Sequence, residues 1–312
     1  MSAYPAAPPP GDAPSPLQAQ LQFWAIARAS LDYVRDTIEI TRGPGELLDA
    51  LIITAALDAN MAPVKRAPEL QQAYGGAQVS APDDLRRPVS VNAVAQSLNL
   101  PFETVRRRAL KLAQAGLCVI GPQGMVVPNS LTTSAADVAA QRGRYERAGR
   151  FYKTLKALGV APPPAASDGA PAQPMIKAAN WALSEYVLRA CADLIGLTGN
   201  IISSRVLLEL ALVGARPLPT ETLVAQSGTQ LGRPVRATAL AASLKLPRET
   251  VRRHVVALEG LGFCRRETDG VVVAVPDAMK PRLVELARAN QGNLQRLLGS
   301  LARAGAVIDW EG

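Results

Sequence analysis

Residues 100–119 read LPFETVRRRALKLAQAGLCV, and residues 246–265 read LPRETVRRHVVALEGLGFCR. Each segment has a proline near its start, a glycine (Gly116, Gly262) near its end, and apolar residues at helical spacing between them. Proline suits the first turn of a helix, where its missing N–H would have no partner, and glycine suits the left-handed residue that ends one. The spacing therefore predicts helices over 101–115 and 247–261. On the first, Val105, Ala109 and Leu112 share a face, as do Val251, Val255 and Leu258 on the second. That face packs on a neighbour. Glu103, Arg106, Arg107 and Leu110 point away from it, as do Glu249, Arg252 and Arg253, with Arg108 and His254 at the flank.

The copying runs beyond the helix. Residues 87–127 lie on 233–273 without a gap, and 20 of these 41 positions are identical, so the chain contains an internal repeat. The register continues, with Arg150, Leu155 and Gly159 meeting Arg296, Leu301 and Gly305. Upstream, DYVRD (32–36) resembles EYVLR (185–189) at a different offset, because the first copy has the longer connector. A Pro/Ala-rich tail over 1–16 and a Pro/Ala-rich linker over 161–174 set the expected domains at 17–160 and 175–312.

Each copy has the same predicted order: a long amphipathic helix, an apolar helix, a variable connector, a short helix and the quoted helix. Two short strands about a turn follow, then a long C-terminal helix. The expected fold is mainly α: two tandem winged helix-turn-helix domains with flanking long helices and short two-stranded β-wings, an internal duplication forming a pseudo-dimer.

Composition narrows the function. A chain of 312 residues with 48% hydrophobic and 19% charged residues folds into a core, and 4% aromatics with abundant Ala, Leu and Val favours packed helices. The net charge of +8 suits a polyanionic partner, although arginine bias in a GC-rich genome gives the same total. Cys118, Cys191 and Cys264 are widely spaced and there is one histidine, so no metal site or disulfide framework is expected. Buried core positions are the expectation for Cys118 and Cys264, and helix packing for Trp24, Trp181 and Trp310. No P-loop, GxSxG or HExxH occurs, and RGPGELL (42–48) lacks the residues of a nucleotide loop. The expectation is a protein that is not an enzyme, has no cofactor and does not enter a membrane. It would be cytoplasmic and nucleoid-associated.

The exposed half of the repeated helix offers donors and one acceptor. In a major groove Arg can bind guanine O6/N7 and Glu can accept from cytosine N4, while Thr104 and Thr250 at the helix start can reach phosphate. A solvated face explains part of this, since Glu103 and Arg107 form an i,i+4 pair. It does not explain RRR at 106–108, which a phosphate surface rewards. Arg265 and Arg266 open the second wing, where they would grip phosphate or simply end a solvated strand. Val119 and Ile120 stand there in the first copy.

RETVRR (248–253) resembles the recognition helix of the catabolite activator family, and FETVRR (102–107) resembles it less closely. The resemblance covers some 45 residues per copy. It implies base contacts for Arg248, Glu249 and Arg253, a phosphate contact for Thr250, and like roles for Glu103, Arg107 and Thr104. Phe102 breaks the pattern: it cannot donate to guanine and suits a thymine methyl, so the two copies would read unlike half-sites. Arg106, Arg108, Arg252 and His254 complete the expected DNA-binding set. No cyclic-nucleotide-binding roll precedes either copy. The long flanking helices look more like MarR-type regulators, whose terminal helices form a dimerisation layer.

The expected partner is double-stranded DNA, bound by a bacterial transcriptional regulator. A plasmid replication or partition factor and a winged-helix protein-interaction scaffold are the alternatives. A homodimer and a small-molecule effector remain open.

Overall fold

The protein is described by a computed structural model over residues 15–160, 173–216, 218–219, 221–222 and 230–311. It is mainly helical, with two small antiparallel sheets. The expected tail (1–16) and linker (161–174) lie outside the described residues except for 15–16 and 173–174.

In chain order the first copy comprises α1 (Pro16–Arg42), α2 (Leu47–Asn60), α3 (Ala62–Arg66), α4 (Pro68–Tyr74), α5 (Val91–Ser97) and α6 (Phe102–Gln114). Strands β1 (Val119–Gly121) and β2 (Gly124–Val126) follow, then α7 (Asn129–Thr132) and α8 (Ala135–Ala157). The second has α9 (Ile176–Thr198), α10 (Ile201–Ala215), β3 (Gln230–Val235), α11 (Ala237–Leu244) and α12 (Arg248–Gly260). It ends with β4 (Cys264–Glu267), β5 (Gly270–Ala274), α13 (Lys280–Arg303) and α14 (Ala306–Glu311). The connector expected after α2 carries two short helices, α3 and α4, each begun near a proline. Among the described residues no single helix is long and apolar enough to cross a membrane.

Two compact units emerge, and they cut across the boundary expected at 161–174. One takes Asp36–Tyr152 with the described parts of Ala161–Asp193 and Gly292–Gly312; the other takes Leu194–Gln291 with Lys153–Val160 and the described part of Met1–Arg35. Helices α1, α8, α9 and α13 therefore each carry residues of both units. These four helices run for 23 to 27 residues, more than six turns each, longer than the short helices of the repeated core they flank.

In the first unit α2, α5 and α6 pack on one another. Ser90 caps α5 by accepting a hydrogen bond from the Ala93 N–H at 3.1 Å. Val105, Ala109 and Leu112 form the buried face of α6, as the spacing predicts, each valine or leucine worth about 2 kcal/mol in transfer from water. The turn between α5 and α6 passes through Asn99 at φ 52°, a left-handed conformation that asparagine tolerates. Strands β1 and β2 pair with Val119 opposite Val126, and Val89 adds a lone bridge to Met125. Fully buried Asn60 ties this corner together: its amide donates to the Arg87 and Met125 carbonyls (2.7 and 3.0 Å), and its oxygen accepts from the Val127 N–H (2.9 Å). At the end of the chain Trp310 lies against Tyr145 and Tyr152, with ring centroids 5.0 and 5.8 Å away, over a space that only Gly149 leaves open.

The second unit repeats this core in α10, α11 and α12, with Val206, Leu210, Leu240, Val251, Val255 and Leu258 in one cluster. Lys245 takes the place of Asn99 in the turn and the same left-handed backbone, φ 53°. The sheet differs from expectation. It has three strands in the order β3-β5-β4, not two. Val235 pairs with Val271, the counterpart of the Val89–Met125 bridge, but here a full strand extends from it. Gly214 makes the room. A Cβ there would stand 2.9 Å from the Arg233 carbonyl oxygen, whereas the matching residue in α2 is Asn60. Glycine and proline within QLGRPV hide this strand from a propensity reading.

Candidate nucleic-acid interface

Helices α6 and α12 bury one face and expose the other, so Glu103, Arg106 and Arg107 stand in solvent on α6, and Arg248, Glu249, Arg252 and Arg253 on α12. Thr104 and Thr250 sit half-buried in the first turn. The adjacent basic residues at 106–108 and 252–254 do three different things.

Arg106 is held by its own helix. Its Nε and Nη2 donate to the two carboxylate oxygens of Glu103, both at 2.8 Å, and Arg252 grips Glu249 the same way at 2.8 and 2.7 Å. The carboxylate thus pairs three residues along, not four; the Glu103–Arg107 pair expected from spacing is not formed. The bond from Arg106 holds the Glu103 carboxyl below its usual range, and the bond from Arg252 does so for Glu249. Both stay charged acceptors.

Arg107 and Arg253 are exposed and make no hydrogen bond or ion pair among the described residues. Each still lies close enough to the glutamate of its own helix to help hold that carboxyl low.

Arg108 turns inward. Its Nη2 donates to Asp49 Oδ2 of α2 at 2.7 Å and its Nε to the other oxygen, with both side chains about three-quarters buried. His254, its counterpart, shares a hydrogen bond of 2.9 Å between Nδ1 and the Ser203 hydroxyl of α10. Burial, and then the Arg253 charge, push its pKa below the ordinary histidine value. Arg108 and His254 were expected among the DNA contacts; the structure commits both to the helix behind, because the flank of α6 and α12 faces α2 and α10.

The two exposed faces differ in polarity. Phe102, Leu110 and Val119 are 47%, 43% and 62% exposed in the first copy, where the second has Arg248, Val256 and Arg265. The wing arginines have partners: Arg265 Nε donates to Glu267 at 3.0 Å, and Arg266 Nη2 pairs with Glu259 at 2.7 Å. Arg236 and Lys245 are also exposed beside α12, at positions held by Ser90 and Asn99 in the first copy. No motif marks them; the repeat alignment does, since an uncharged residue of the first copy is basic in the second.

Cys118 and Cys264 are buried, their thiols directed at the Ala109 and Val255 carbonyls at 3.8 and 3.5 Å. Burial pushes the Cys264 thiol up to about 11 and Cys191 up to about 12, so neither is a thiolate near neutrality. Of the tryptophans, Trp181 packs on Met61, Val64 and Ala81, and Trp24 meets Phe23 edge-on at 6.0 Å. Among the described residues no three His, Cys, Asp or Glu side chains gather in a way that would hold a metal ion. The chain matches no protein-family model, no curated protein and no solved structure.

Proposed function

We propose that the chain is a sequence-specific, double-stranded-DNA-binding transcriptional regulator made of two tandem winged helix-turn-helix modules, with α6 and α12 as recognition helices. One observation carries the reading. Arg107 and Arg253, at the same place in both copies, stand exposed and without a hydrogen bond or ion pair among the described residues, next to a Glu–Arg pair that fixes an acceptor and a planar donor on the same helix face. A solvated face gains nothing from leaving a guanidinium unpaired beside a second one, whereas a phosphate-lined groove rewards it by counterion release. The fixed Glu and Arg then supply the acceptor and donor that distinguish base edges.

On this reading the second module is the anchor. Arg248, Arg236 and Lys245 add positive charge that Phe102, Ser90 and Asn99 do not. A replication or partition factor would use the same surface and differ only in where its sites lie. A protein-interaction scaffold needs no such charge in both copies.

The test is selection of bound sites from a random duplex pool at moderate salt, with wild type and the R107A/R253A variant side by side. Two unlike half-sites at fixed spacing, lost in the variant, support the regulator. Binding without an enriched motif, equal in both proteins, overturns it.

A further inference from the structure

The first unit contains a groove of about 440 Å³ between α9 and the last turns of α13, lined by none of the residues of the repeated helices. Its volume falls within the range of small-molecule sites. Along α13, Asn293, Arg296, Ser300 and Arg303 follow one another at steps of three and four residues and so form one stripe. Across from them Glu185, Tyr186 and Arg189 of α9 form the other wall.

The charges in this groove are arranged unusually. Arg189 Nη1 donates to Asn293 Oδ1 at 3.2 Å, and Arg296 Nη2 donates to the same oxygen. One neutral amide oxygen thus gathers two guanidinium groups. Arg303 Nη2 rests on the Ser300 hydroxyl at 3.0 Å, again a neutral acceptor. Glu185, bonded to Arg189, is the one carboxylate among the groove's lining residues. Two like charges brought a few ångströms apart repel by about 1 kcal/mol even in water, and an anion between them reverses that sign. Guanidinium groups also offer planar, paired donors that match a carboxylate or phosphate.

We infer that this groove is a binding site for a small polyvalent organic anion, with Arg296 and Arg303 as its charge contacts, Arg189 held by Glu185 at its edge and Tyr186 in its apolar wall. A concave site with donors along its walls fits a compact ligand. The inference stands apart from the DNA reading and survives its failure.

Citrate is a suitable probe, compared with sodium chloride at equal ionic strength on the full chain by thermal shift and calorimetry. Citrate raises the melting temperature of wild type beyond the chloride control. The R296Q/R303Q variant binds it at least roughly tenfold more weakly, as the loss of two charge-assisted hydrogen bonds requires. S300W fills the groove without changing its charge and abolishes the response, while R107Q/R253Q keeps it. Equal responses in wild type and R296Q/R303Q, or a response no larger than that to chloride, overturn the inference. A duplex-binding salt slope that falls by about two in R296Q/R303Q also overturns it, and assigns the groove to nucleic-acid backbone.

Discussion

Arg108 closes a two-pronged ion pair on Asp49 at the place where, in the second copy, His254 shares a single neutral hydrogen bond with Ser203. Both partners differ between the copies, and they differ together. A charge exchanged on one side alone would leave the other half-buried and uncompensated.

That joint exchange is testable as a double-mutant cycle. D49S and R108H each destabilise the chain by about 1 kcal/mol, a modest figure because the pair keeps roughly a quarter of its surface in water. The double variant D49S/R108H recreates the second copy's pair and costs no more than either single change, giving a coupling of about 1 kcal/mol in urea unfolding. Strictly additive losses would show that the two residues act independently.

The chain has one histidine, so its titration can be followed without ambiguity. His254 has a lowered pKa in the folded state, chiefly because it is buried. The unfolded chain therefore takes up the proton first as pH falls, and stability is lost below the ordinary histidine value of about 6.5, down through the folded value. Melting temperature drops between pH 7.5 and 5.5 in wild type, and the drop is smaller in H254Q. An identical pH profile in the two proteins would remove His254 as the cause.

The arginines of α12 separate into two kinds. R253A lowers duplex affinity at all sequences and reduces the salt slope by about one, the signature of a lost phosphate contact. E249Q frees Arg252 from its carboxylate partner, so it raises nonspecific affinity while flattening sequence preference. Fluorescence anisotropy across a salt series reads both. A slope unchanged in R253A would place that side chain off the phosphates, leaving it the base contact its resemblance implies if sequence preference is lost instead.

Lys245 holds a left-handed backbone that costs a side chain with a Cβ about 1 kcal/mol and that asparagine bears more easily. K245N, which copies Asn99 of the first turn, raises stability by about 0.5–1 kcal/mol in denaturant unfolding. The reverse change, N99K, lowers it by a similar amount and also removes the amide that donates to the Ala192 carbonyl at 2.9 Å.

Much of this was legible in the sequence because it is local and repeated. Val105, Ala109 and Leu112 declare a buried face by spacing alone, and Gly116 and Gly262 mark helix ends at φ 73° and 78°. The exposed residues of α6 and α12 follow from the same periodicity. What escaped was set by contacts distant in the chain. Arg108 looks like one of three equal arginines until Asp49, 59 residues earlier, is folded against it. Strand β3 carries a glycine and a proline that argue against a strand, and the close approach of Gly232 to Gly214, with no Cβ on either, lets it lie down. The groove at Asn293 depends on α9, more than a hundred residues before it.

The sharing of α1, α8, α9 and α13 between the two compact units bears on how the duplication can be taken apart. Severing the chain between the repeats would leave each product holding helices whose proper core belongs to the other product. Neither half expressed alone gives a cooperative unfolding transition, and the two halves co-expressed from separate genes reassemble into one complex. Each repeat thus acts as part of the other's scaffold, so the duplication works as one folding unit and not as two separable modules.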